Sequence, residues 1–132
     1  YHPRAGYTST VGTEALNYKI NYRVIRFSDV LLMASEALLR SGGSVGEAQD
    51  YYARVVKRAM GDDYKVPAVS LDNIYKERRY EFAMEGIRYW DLVRTNQAKD
   101  FIKGWDDTKK YLPIPQSEID KSDGHLVQNP HF

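Results

Sequence analysis

Between Ser28 and Arg40 the chain reads S-D-V-L-L-M-A-S-E-A-L-L-R, and its apolar positions are Val30, Leu31, Leu32, Met33, Ala34, Ala37, Leu38 and Leu39. Wrapped on a helix, they cover most of the circumference and leave a narrow polar strip through Asp29, Ser35, Glu36 and Arg40. Ser28 or Asp29 is placed to cap the start, and Gly42 follows the last helical residues. A helix apolar nearly all round is buried on more than one side, which implies packing partners beyond a small fold.

The next stretch is one-sided. Ser44-Val-Gly-Glu47 matches a capping box, in which each side chain satisfies the other residue's free backbone N–H. In the helix it opens, Val45, Ala48, Tyr52, Val55, Val56 and Ala59 share one stripe, and Gly61 follows Met60 to end it. So short a turn dictates an antiparallel hairpin over residues 28–60, about the 34-residue length of one tetratricopeptide unit. One such unit cannot bury its own face.

Further along, Ser70 is placed to cap a third helix expected over Leu71–Glu85. Gly86 turns it into a short fourth helix over Ile87–Arg94. Residues 1–24 are irregular or extended, with one candidate strand in N-Y-K-I-N-Y-R-V-I. Residues 95–132 read as a polar loop and an extended tail, with L-P-I-P-Q kept out of the helical region by its prolines and a single turn at Ser117–Asp120. The expected fold is mainly α: a tetratricopeptide-like helical hairpin plus further helices, with extended irregular N- and C-terminal segments, in a single domain or segment.

Composition narrows the function. Nineteen basic residues against eighteen acidic ones give a formal charge of +1, and the two signs are interleaved. That balance offers no field for nucleic acid. The absence of cysteine excludes disulfides and thiolate chemistry. No apolar run is long enough to span a bilayer. His2, His125 and His131 are scattered toward the ends and read as surface residues, so no metal is expected. The chain does not open with Met and has no leader pattern, and it reads as a trimmed piece of something longer.

The chemistry-bearing stretch is I-Y-K-E-R-R-Y-E-F-A-M-E-G-I-R-Y-W-D-L-V-R, residues 74–94. On a helix, Leu71, Ile74, Arg78, Phe82 and Glu85 share a stripe, so two ionic groups interrupt an apolar face. Glu77, Glu81 and Glu85 are like charges spaced i, i+4, which is unfavourable unless cations from elsewhere neutralise them. Arg78, Arg79, Arg88, Arg94 and Arg26 are the candidates, because a guanidinium fork holds a carboxylate through two bonds. Glycoside hydrolysis by Glu77 with Glu81 or Glu85 would need one carboxyl group of raised pKa, and surrounding arginines push the other way. The corner is therefore read as a structural ion network of Arg26, Glu77, Arg78, Glu81, Glu85, Arg88, Asp91 and Arg94, with no catalytic residue and no cofactor.

In order, V-I-R-F-S-D-V-L-L-M-A-S-E-A, the charged corner, K-Y-L-P-I-P-Q-S-E-I-D and L-V-Q-N-P-H-F resemble the C-terminal end of the SusD/RagB family. The resemblance runs from about Tyr18 to Phe132. It implies a helical scaffold of tetratricopeptide-like pairs and capture of a glycan or related oligomeric nutrient without catalysis. It also implies a SusC-like TonB-dependent β-barrel as partner, and a place on the outer face of the outer membrane. Members are tethered by a lipidated cysteine, which this chain lacks, as expected of a C-terminal portion. Matched framework positions include Asp29, Glu36, Gly86, Leu92, Pro113, Pro115 and Gln116; Ser35 departs from the pattern, standing where a larger side chain is common. The rival reading of the hairpin is a tetratricopeptide-type protein-interaction scaffold.

Sugar sites set an aromatic face against the apolar side of the ring, with polar groups on its hydroxyls. Trp105 and Asp106, followed by Asp107, are the local candidates, against the plainer reading of Trp105 as folded back over its own loop. Trp90 is read as core, from its helical position beside Tyr89 and Val93.

Overall fold

The computed structural model describes residues 24–132. His2 and nearly all of the irregular lead-in lie outside them. Of the candidate strand only Val24 and Ile25 are described, and they form a bend. The described residues form six α-helices and one 3-10 helix, with no strand. The fold is mainly α, as expected.

Two compact units divide within the third helix, the first running to Ile74 and the second from Tyr75 to Phe132. In the first, α1 (Phe27–Ser41) and α2 (Val45–Met60) are the antiparallel hairpin. Its tight turn is possible because Gly42 takes the left-handed conformation, φ 71°. Neither Ser28 nor Asp29 caps α1. Arg26 occupies that position, and its carbonyl accepts from the Asp29 and Val30 N–H groups at 2.9 and 3.3 Å. Half of the capping box forms: Ser44 Oγ accepts from the Glu47 N–H at 3.2 Å, while the Glu47 carboxylate takes the Tyr51 hydroxyl at 2.8 Å instead.

The stripe on α2 is buried through its middle, at Ala48, Tyr52, Val55 and Val56, while Val45 at its start is exposed. On α1 the buried face differs from the expected one. Leu31, Leu32, Ser35 and Glu36 are buried, whereas Val30 and Met33 are exposed. Two members of the supposed polar strip thus face inward. Ser35 is small enough to sit at the helix contact, and its hydroxyl donates to the Ala48 carbonyl at 2.7 Å. Glu36 keeps its charge compensated by Arg40 one turn on, at 2.8 Å.

After α2, Gln49 holds the connecting loop. Its side-chain amide donates to the Pro67 carbonyl at 3.2 Å and accepts from the Val69 N–H at 2.6 Å. Ser70 Oγ then accepts from the Asn73 N–H at 3.1 Å, capping α3 (Leu71–Glu81) as its position implied. The helix ends at Glu81, four residues short of the expected Glu85. Met84 and Gly86 adopt φ of 69° and 80°, left-handed values that no α-helix accommodates.

The second unit continues with α4 (Arg88–Arg94), α5 (Ala98–Phe101), a 3-10 helix (Asp107–Lys110) and α6 (Gln116–Lys121). The extended L-P-I-P segment is tied by the tail. The Gln128 side-chain amide pairs with both the N–H and the carbonyl of Ile114, at 2.8 and 2.9 Å. Asn129 Nδ2 donates to the Leu112 carbonyl at 2.7 Å. One glutamine thereby supplies the bonds that a neighbouring strand would have made.

Candidate functional site

One carboxylate in the charged corner bridges two arginines. Asp91, in the first turn of α4, accepts from Arg78 Nε through Oδ2 and from Arg94 Nε through Oδ1, both at 2.8 Å. Arg78 and Asp91 are buried, 5% and 7% exposed, so each compensates a charge that water cannot reach. The rings of Phe82 and Tyr75 lie 5.1 and 6.0 Å from the guanidinium carbons of Arg78 and Arg94. No buried side-chain nitrogen or oxygen among the described residues lacks a hydrogen-bond partner.

Arg26 lies in the first unit and donates from Nη1 to Ser28 Oγ at 2.5 Å. Glu77 and Glu81 are half-buried on α3, and Glu85 stands beyond the helix end, in the turn. Each of the three makes a hydrogen bond, ion pair or electrostatic contact. The i, i+4 ladder of three glutamates therefore does not exist as one helical row. Arg88 makes no ion pair among the described residues. Its guanidinium lies 5.1 Å from the centre of the Phe101 ring.

Beside the turn is a cleft of about 240 Å3, lined in part by Arg78, Arg79, Met84, Ile87, Arg88 and Asp91. Burial, and after it the charge of Arg79, holds the Arg88 guanidinium below its ordinary basicity, while Asp91 pulls the other way.

A second feature of the same unit is aromatic. The rings of Tyr89 and Trp90 meet edge to face, 5.1 Å apart at 87°, and Tyr89 meets Trp105 at 6.1 Å and 64°. Tyr89 is fixed by its hydroxyl, which donates to the Lys109 carbonyl. Trp90 is not core: its residue is 53% exposed. On a seven-residue helix whose inward side is taken by Asp91 and Leu92, it faces outward. Trp105 is half-buried, with its indole N–H 3.4 Å from Asp107 Oδ1. Asp106 caps the 3-10 helix, Oδ1 accepting both the N–H and the hydroxyl of Thr108. Those bonds, the hydroxyl's first, lower its carboxyl pKa; the charges of Lys109 and His131 add to this and slight desolvation opposes it. No metal-ligand cluster occurs among the described residues, where His125 and His131 are exposed.

Residues 2–106 match the SusD family. The fold superimposes on surface glycan-binding protein A from Bacteroides thetaiotaomicron with a TM-score of 0.76 at 43% identity, covering 90% of this chain and 26% of that one. The same protein in complex with laminarihexaose matches with a TM-score of 0.73 at 44% identity, over 89% of this chain and 26% of that one. A laminarin-binding SusD-like protein matches with a TM-score of 0.76 at 40% identity, over 98% and 27% of the two chains. SusD-like protein P2 from Formosa agariphila is 25% identical over 151 residues, spanning all of this chain and 29% of its own length. This chain thus spans between a quarter and a third of these relatives.

Proposed function

The chain belongs to the SusD family, and from that membership we propose that it serves glycan capture, binding its ligand without altering it. The observation that carries this reading is the likeness to a protein solved with laminarihexaose, at 44% identity over 89% of this chain. In the corner the central carboxylate is also held by two arginines, each at 2.8 Å, and is engaged in the fold rather than open to a glycosidic oxygen.

In this reading the chain supplies the C-terminal helical scaffold of an outer-membrane lipoprotein, which passes its glycan to a TonB-dependent β-barrel. The sugar contact proposed within the chain is Trp105 with Asp106, joined by the exposed face of Trp90. Tyr89 braces both indoles, and a braced ring loses little freedom when a pyranose stacks on it. Asp106 is held by Thr108, which presets its carboxylate.

Calorimetric titration of the 132-residue chain with laminarihexaose tests the reading. Saturable binding is expected, weakened about tenfold or more by Trp90→Ala with Trp105→Ala, since stacking is worth about 1–2 kcal/mol. An unchanged affinity in that double variant would remove these rings from the site. Delivery is tested separately, by co-purification of the parent protein with a TonB-dependent barrel from outer membranes. Recovery of the protein without any barrel would count against that partner.

A further inference from the structure

The cleft beside Gly86 has a charge imbalance that the clamp does not resolve. Asp91 is committed to two cations, Arg78 and Arg94. Arg79 and Arg88 line the same cleft, and neither makes an ion pair among the described residues. Arg88 is not a solvated surface arginine. It is half-buried, and its guanidinium lies over the Phe101 ring, which fixes its plane and leaves its N–H groups for a ligand. Arg79 and Arg88 are like charges lining one cleft, and an anion held there by both would relieve their repulsion. The remaining wall is apolar, from Ile87 and the fully exposed Met84. About 240 Å3 accommodates one sugar ring rather than a chain.

We propose that this cleft is an anion subsite, in which Arg79 and Arg88 take a carboxylate or sulfate-ester group carried on a sugar ring that rests against Ile87 and Met84. The proposal deepens the glycan-capture reading and rests on it for the identity of the carrier. It makes the corner selective for acidic over neutral sugars. Bidentate guanidinium bonds to a planar or tetrahedral oxyanion are both directional and strong, so the charged substituent, not the ring, dominates the affinity.

The test uses the 132-residue chain, titrated by NMR with glucose, glucuronate and glucose 6-sulfate at about 0.15 M salt, where diffuse surface attraction is screened. Glucuronate or glucose 6-sulfate is expected to bind about tenfold or more tightly than glucose, with shifts centred on Arg79, Ile87 and Arg88. The stronger of the two identifies the substituent as carboxylate or sulfate. Arg79→Gln with Arg88→Gln should abolish the preference while leaving laminarihexaose binding intact. Arg79→Gln alone, at an exposed position, should lower the preference severalfold and keeps the test open should the double variant misfold. Equal affinity for the three sugars overturns the proposal, as does a preference that survives both substitutions. Loss of laminarihexaose binding with the acidic preference retained would sink the capture of neutral glycan and leave the subsite standing.

Discussion

The hairpin and the charged corner solve the same problem with different materials. Among the described residues up to Ile74, the buried apolar ones are Leu31, Leu32, Ala48, Tyr52, Val55, Val56 and Ile74; from Tyr75 onward they are Phe82, Leu92 and Ala98. The second unit makes up the deficit with Arg78 and Asp91, a buried ion pair completed by Arg94. Apolar burial is forgiving, because its strength grows with area and tolerates small shifts. A buried pair is unforgiving: removing one partner strands the other, although replacing both with apolar groups can cost nothing. The corner's rigidity therefore depends on geometry at one carboxylate, and the hairpin's on the fit of a whole face.

The sharpest way to break the corner is Asp91→Ala, which takes the bridging carboxylate away from the buried Arg78 and from Arg94. We expect a loss of about 3–5 kcal/mol, read as a lower urea midpoint. Arg78→Met combined with Asp91→Leu should lose markedly less than Asp91→Ala, because no buried charge is stranded at Arg78. If the paired replacement were the worse of the two, the contrast drawn between the units would be wrong. In the hairpin, Ser35→Leu should cost about 1–3 kcal/mol by wedging α1 from α2 and removing the bond to the Ala48 carbonyl. Its signature is a fall in melting temperature, and Leu32→Ala serves as the cavity control.

Legibility in the sequence divides along the same line. The hairpin's ends were readable because Gly42, Ser44 and Gly61 act locally, and the stripe of α2 follows from its period. Which side of α1 turns inward was not readable. Hydropathy ranks Val30 above Ser35, but the helix contact selects Ser35 for its size and its hydroxyl. In the corner, the three glutamates looked like the natural anions, and Asp91 was one name among eight. Its pairing with Arg78 spans thirteen positions and depends on a turn at which Met84 takes a left-handed conformation without being glycine. No periodicity carries that information. The identification of Trp90 as core failed for a related reason, since a seven-residue helix has room for only one buried side.

Gly86→Ala probes the turn by itself. At φ 80° a side chain is strained even though nothing stands within 4 Å of an added Cβ. A loss of about 1–2 kcal/mol is expected from backbone strain alone. A neutral result would mean that the turn relaxes without the clamp noticing, and would loosen the claim that geometry governs this unit. Gln128→Ala removes two bonds to Ile114 and should cost about 1–2 kcal/mol, with faster amide exchange at Ile114 as the local readout.

The smallest effect belongs to Asp106. Its folded pKa lies below the ordinary value of 3.8, so the stabilisation it contributes is fully present above that value and fades as the pH falls through the lower, folded one. An NMR titration of its carboxyl carbon should show a midpoint under 3.8, with the Thr108 amide shifting in step. A midpoint at or above that value would mean the cap does not form in solution.

The tether formed by Asn129 has a bearing on how the molecule ages. Asparagine decays to aspartate when the next residue's backbone nitrogen, shedding its hydrogen, attacks the side-chain carbonyl. Here that neighbour is Pro130, whose ring nitrogen has no hydrogen to shed. The amide that grips the Leu112 carbonyl is thereby shielded from the commonest spontaneous damage to its kind, and the tail's hold on the proline segment has chemical durability built into its covalent order.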